Sequence, residues 1–110
     1  MRSYLIDELS PTGMEKITGY LTKNAIRSNL DEIFWIRIPE NLLSKIQRQH
    51  RECGPHVFAA ELGPDWIKLE FFVRSSKNMQ CTCQGYCTPK QTAYVTEFAA
   101  DMIKQLGIRT

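Results

Sequence analysis

Residues 56–74 read HVFAAELGPDWIKLEFFVR, two apolar runs separated by Gly63-Pro64-Asp65. No other stretch constrains the fold as much. Adjacent glycine and proline punctuate a chain as a turn. The flanking runs are short and rich in aromatic and branched residues, which is the composition of strands. Strands joined by so short a turn pair antiparallel, because a parallel pair needs a long crossover. In the second run Ile67, Leu69, Phe71 and Val73 alternate with Trp66, Lys68, Glu70 and Phe72. The first set is expected to face the core and the second the opposite side of the sheet. Trp66 and Phe72 would offer a dimer or partner surface if left open. A helix or the loop over 75–87 would cover them otherwise.

The remaining segments supply elements on either side of this hairpin. Residues 3–9, SYLIDEL, begin as a strand, and Ser10-Pro11 then caps a helix carrying Met14, Ile17, Leu21 and Ala25. Residues 33–38, IFWIRI, read as a buried strand stopped by Pro39. A second helix is expected over 40–52, with Leu42, Leu43, Ile46, His50 and Cys53 on or near one face and Gly54-Pro55 as its stop. Thr88-Pro89-Lys90-Gln91 is a helix start with a capping-box partner. Val95, Phe98, Ala99, Met102, Ile103 and Leu106 follow as an apolar stripe that ends at Gly107.

The order expected is β-α-β-α-β-β-α: an α+β (or α/β) two-layer sandwich, with a mixed four-stranded sheet and helices mainly on one face. At 110 residues the chain is expected to form one domain, 1–110. A chain of that size buries roughly two-thirds of its unfolded surface, so neither disulfides nor a metal are needed to hold a core.

Three of the four cysteines lie within seven residues, in Cys81-Thr82-Cys83-Gln84-Gly85-Tyr86-Cys87. In extended chain, side chains two apart share a face, so Cys81 and Cys83 point the same way. Gly85 can turn the chain and return Cys87 toward them. Three thiolates then form a tripod for a soft cation, and zinc takes four sulfur or imidazole ligands in a tetrahedron. The candidate metal ligands are Cys53, Cys81, Cys83 and Cys87. His50 and His56, which flank Cys53, are alternatives for the fourth place. The spacing matches neither the paired C-x2-C units of common zinc folds nor the usual iron–sulfur runs. The cofactor expected is zinc or none, since buried free cysteines also serve as small hydrophobes. Cys87 carries a redox alternative: just before a helix N-cap, the dipole would favour its thiolate.

No other constellation of catalytic residues is legible, and no catalytic residue is assigned. The glycines are scattered and form no phosphate loop, and the acid pairs Asp7-Glu8 and Asp31-Glu32 read as solvated. A net charge of +2 is too mild for nucleic acid, where a clustered basic face is the footprint. The basic residues Lys45, Arg48 and Arg51 read as a solvated helix face. The first residues hold no uninterrupted apolar stretch, and Ile33-Phe34-Trp35-Ile36 is far short of a membrane span. A cytoplasmic protein without membrane partners is expected, in a compartment where thiols stay reduced. Three functions remain: a metal-binding module acting in interaction or regulation, through a protein partner or a homodimer; a thiol redox enzyme or sensor using Cys87; and a metal-free interaction domain with incidental cysteines.

Overall fold

The computed structural model describes residues 2–30 and 32–109. The strands among them are β1 (Ser3–Ile6), β2 (Ile26–Arg27), β3 (Ile33–Arg37), β4 (His56–Leu62), β5 (Ile67–Glu70), β6 (Phe72–Ser75) and β7 (Gly85–Tyr86), and the α-helices are α1 (Pro11–Asn24), α2 (Lys45–Gln49) and α3 (Pro89–Gln105). The class is α+β. The sheet has seven strands, in the order β1-β5-β4-β3-β2, with β6 joining β4 and β7 joining β6.

Every pairing among the described strands is antiparallel. This corrects the mixed four-stranded sheet expected from the strand and helix order. A β-α-β reading presumes that strands flanking a helix become parallel neighbours. Here β1 and β3 are kept apart by β5 and β4. β1 pairs with β5 instead, setting Ser3 opposite Glu70 and Ile6 opposite Ile67. The chain after α1 doubles back through β2, where Ile26 faces Trp35 and Arg27 faces Phe34.

The hairpin forms as the alternation predicts: Ile67, Leu69, Phe71 and Val73 are all buried. It is nevertheless two strands. β4 pairs with β5 through Ala60–Leu69 and Leu62–Ile67, and with β6 through His56–Ser75 and Val57–Arg74. Between those stretches Phe58 and Ala59 lie opposite the longer run Glu70-Phe71-Phe72-Val73, so the second strand bulges at Phe71. The Phe71 backbone turns outward. Its N–H donates to the Arg2 carbonyl at 2.9 Å and its carbonyl accepts from the Cys87 N–H at 3.0 Å. Neither aromatic of the opposite face is bare. The Trp66 ring lies against Gly63, and Phe72 meets Tyr86 edge-on at 5.2 Å, with Arg74 against its ring.

The caps follow the sequence. The Ser10 side chain accepts from the Gly13 N–H, and Thr88 and Gln91 complete a reciprocal capping box on α3. Gly107, at φ +64, ends α3 with the paired bonds Ile108 N–H to Ile103 O and Gly107 N–H to Lys104 O, a Schellman turn. Ile17 and Leu21 of α1 and Val95, Ala99 and Met102 of α3 belong to one core cluster with Phe34, Ile36, Phe58, Ala60, Leu62, Ile67 and Leu69 of the strands. Burying this apolar set is the main driving force for the fold.

The second helix is the other correction. The expected run over 40–52 is broken into a 3-10 turn (Glu40–Leu42), the short α2, and a second 3-10 turn (Arg51–Cys53). Leu43 is extended, and Ser44 restarts the helix with its own capping box to Gln47. The restart rotates the helix face. Ile46, expected on one apolar face with Leu42 and Leu43, is 40% exposed, and Gln47 is buried in its place.

Candidate metal centre

The ligand atoms of His50, Cys53, Cys81 and Cys83 all lie within 4.8 Å of one another. Zinc with sulfur at about 2.3 Å has tetrahedral edges of about 3.8 Å, so the four donors need close by only about 1 Å to coordinate it. Cys53 and Cys83 are buried and His50 and Cys81 half-buried, and all four cysteines of the chain are free thiols. This donor set of one imidazole and three thiols is a recognised structural zinc combination.

Two segments deliver the four residues. His50 is the C-cap of α2, and its carbonyl accepts from the Cys53 N–H at 3.0 Å across the following 3-10 turn. That turn brings positions 50 and 53 to one side, so the break in the expected helix preserves their convergence. The second segment leaves β6 at Ser75. The Ser75 hydroxyl donates to the Cys53 carbonyl at 2.6 Å and accepts from the N–H groups of Lys77 and Asn78 at 3.2 and 2.8 Å. The Asn78 carbonyl then accepts from the Cys81 N–H at 3.1 Å. One buried hydroxyl thus ties the first ligand segment to the start of the second. Gln84 closes the loop from the other end: its Oε1 accepts from the Ser75 N–H at 2.9 Å and its Nε2 donates to the Met79 carbonyl at 2.7 Å.

Within the cluster the Cys81 sulfur is the focus. It lies 3.2 Å from His50 Nδ1 and accepts from the Cys83 N–H at 3.5 Å. The Cys83 N–H first, and then the Cys83 thiol, hold the Cys81 thiol down at about 7. The neighbours move the other way. Burial, and then hydrogen bonding with Cys81, push Cys83 up to about 12, while Cys53 is raised chiefly by its hydrogen bond with Cys81. Without a metal the cluster therefore shares its protons unevenly around one thiolate at Cys81. A divalent cation would favour the charged form of every thiol in it.

Cys87, expected to complete the tripod, lies outside this group. Gly85 does not turn the chain back toward Cys81. It pairs with Val73, and Tyr86 pairs with Phe72. The two-residue strand β7 carries Cys87 along the outer edge of β6 to Phe71, where its side chain packs against the core cluster. Burial first, and the Glu70 carboxylate second, push its thiol up to about 11. The helix start at Thr88 does not overcome that desolvation, contrary to the thiolate expected there. His50 occupies the place in the cluster that the sequence reading offered to Cys87. His56 is 4% exposed and stands outside the four, its imidazole held below the usual range by burial and then by His50.

Sequence reasoning missed the buried amide pair behind the site. The Gln47 Nε2 donates to the Cys83 carbonyl at 3.2 Å. Its Oε1 accepts from the Ser44 N–H at 3.0 Å and from the Gln91 Nε2 at 2.9 Å. Gln91 Nε2 also donates to the Leu42 carbonyl at 2.9 Å, and its Oε1 accepts from the Thr88 N–H at 3.0 Å. Two capping-box glutamines thus lock the starts of α2 and α3 to the backbone of a candidate ligand. The S-x-x-Q spacing of Ser44 and Gln47 is the signal that would have pointed to the first of them.

No family model matches the chain, and comparison with curated proteins and with solved structures finds no match. No helix among the described residues is long and apolar enough to cross a membrane.

Proposed function

We propose that this protein is a small zinc-binding module, with His50, Cys53, Cys81 and Cys83 as the four ligands. One observation carries the reading: four soft donors from two distant segments meet within 4.8 Å. Four protein ligands fill a tetrahedron and leave no open position for substrate, so the role is structural and not catalytic. The metal would staple the loop between β6 and β7 to the end of α2. The outer surface of that loop would then serve in interaction or regulation, with a protein partner or a second copy of the chain. Three free thiols at one point suit a reducing compartment such as the cytoplasm.

Elemental analysis of the reduced, purified protein tests this. About one zinc per chain is expected. A chelator should lower the melting temperature of the wild type, because a ligand that binds only the native state stabilises it. Cys83→Ser should bind zinc weakly and melt alike with and without chelator, whereas Cys87→Ser should retain full zinc. A metal-free protein that takes up none when reduced would refute the reading. Redox chemistry centred on Cys87 has less support, because a half-buried thiol held up at about 11 carries little of the nucleophilic thiolate.

A further inference from the structure

The segment that bears two of the candidate ligands also walls a cavity on its other side. Arg51, Gly54, Pro55 and His56 line it, together with Arg37, Ile38, Pro39, Glu40, Leu43 and Tyr94, around a volume of about 440 Å³. That volume is in the range of small-molecule sites, and so is the make-up: an apolar wall with a few polar groups converging on it. Ile38, Pro39, Leu43 and Pro55 form the wall.

The polar groups define what would bind. Arg37 takes part in none of the salt bridges among the described residues. Arg51 meets Glu40 at 3.3 Å, but both side chains are about 70% exposed. Such a surface pair is worth little, about 0–1 kcal/mol, so a competing carboxylate displaces Glu40 at small cost. The lining therefore keeps an unanswered positive charge. The planar fork of an arginine matches a carboxylate through two parallel hydrogen bonds. Tyr94 adds an aromatic ring and a hydroxyl to the lining. His56 also lines the cavity, but its Nε2 is sealed from solvent and so is not among the groups offered to a ligand; the arginines carry the recognition.

We propose that this cavity binds a small organic carboxylate with an apolar body, its charge held by Arg37 and Arg51 and its body against Leu43, Pro55 and Tyr94. The site is separate from the metal centre and does not need the metal reading to hold. Small carboxylates are preferred to phosphates because apolar residues outnumber cations around the lining, whereas a phosphate would leave its additional oxygens facing them.

Benzoate is the probe, and benzamide, of nearly the same shape without the charge, is the comparison. Both are titrated into the full chain while backbone amide shifts are followed by NMR, with zinc and with chelator. Benzoate should shift Arg37, Gly54, His56 and Tyr94 saturably in the millimolar range, and benzamide should bind about tenfold more weakly or not at all. Arg37→Gln should weaken benzoate about tenfold, whereas Lys23→Gln, which removes the same charge from α1, should leave it unchanged. Tyr94→Phe keeps the ring on Phe58 and checks that a folded cavity still takes the probe. Shifts that do not saturate, shifts away from these four residues, equal binding of benzamide, or an Arg37→Gln protein that binds like the wild type would each overturn the proposal. Binding with chelator present keeps it standing even if the protein holds no zinc.

Discussion

Replacing Gln47 by leucine isolates the contribution of the buried amide pair behind the cluster. Gln47 is 3% exposed, so water does not replace what is lost. The substitution removes the partner of the buried Cys83 carbonyl and one partner of the part-buried Ser44 N–H. Gln91 keeps its bond to the Leu42 carbonyl and loses the one to Gln47. An orphaned buried group costs about 1–3 kcal/mol, and the Ser44 donor, closer to solvent, should lie at the low end. Leucine returns part of this, about 1 kcal/mol, through its own burial. The net loss should be about 1–3 kcal/mol, a large fraction of a marginal stability. Urea unfolding in chelator removes any metal contribution. With a slope of about 1–3 kcal/mol per molar, the midpoint should fall by roughly 1 M with the slope unchanged. Zinc-loaded protein should lose more, because the freed Cys83 backbone also loosens a ligand. A loss below about 0.5 kcal/mol in chelator would show that the amide pair does not hold the site, since surface changes fall in that range.

Two further outcomes follow from the same structure. Zinc binding should release about two protons near pH 8, because Cys53 and Cys83 are then thiols and Cys81, at about 7, is already a thiolate; the number should rise as pH falls through 7 and Cys81 joins them. Affinity therefore falls with falling pH, ever more steeply below 7, and calorimetry in buffers of different ionisation enthalpy reads the count; release of one proton or none would contradict the thiol assignments. Gly63→Ala places a methyl inside the Trp66 indole, so the ring must leave the turn. That should cost about 1–3 kcal/mol, the range for overpacking, and shift Trp66 emission to the red in a Trp35→Phe background; unchanged emission would mean that the ring does not rest there.

What the sequence made legible was whatever is decided within a few residues. The cap at Ser10, the box at Thr88 and Gln91 and the turn at Gly63-Pro64 are local devices, and each is found where its residues stand. The alternation over 67–73 also held, because burial on one face fixes it. Strand partners are different: β1 reaches β5 across most of the chain, and nothing local distinguishes that edge from a parallel one beside β3. β2 and β7 have two residues each, too few for any period. The error at Ile46 came from treating 40–52 as one period when Ser44 restarts it. In the cluster, Cys81 and Cys83 do meet, but across a turn and not in the extended chain expected, with the Gln84 N–H on the Cys81 carbonyl and the Cys83 N–H on the Cys81 sulfur; Cys53 is in the group, and of the alternatives His50 and His56 only His50 joins it. Cys87 was misjudged because Gly85 was taken for a turn when it pairs with Val73.

The bulge at Phe71 gives one long strand two outer neighbours, β1 before it and β7 after it. It also sets the phase in which Ser75 leaves the sheet, with its hydroxyl turned to the Cys53 carbonyl. One residue fewer there would invert every side chain from Phe72 to Ser75 and deliver the cysteine loop to the wrong side of the sheet. The loop has no slack of its own either, because the Asn78 carbonyl holds the Cys81 N–H and the Met79 carbonyl holds the Gln84 side chain. In a lineage of such proteins, insertions would be as poorly tolerated at the phenylalanine pair as beside the cysteines, although the pair lies some ten residues from the nearest of them in sequence.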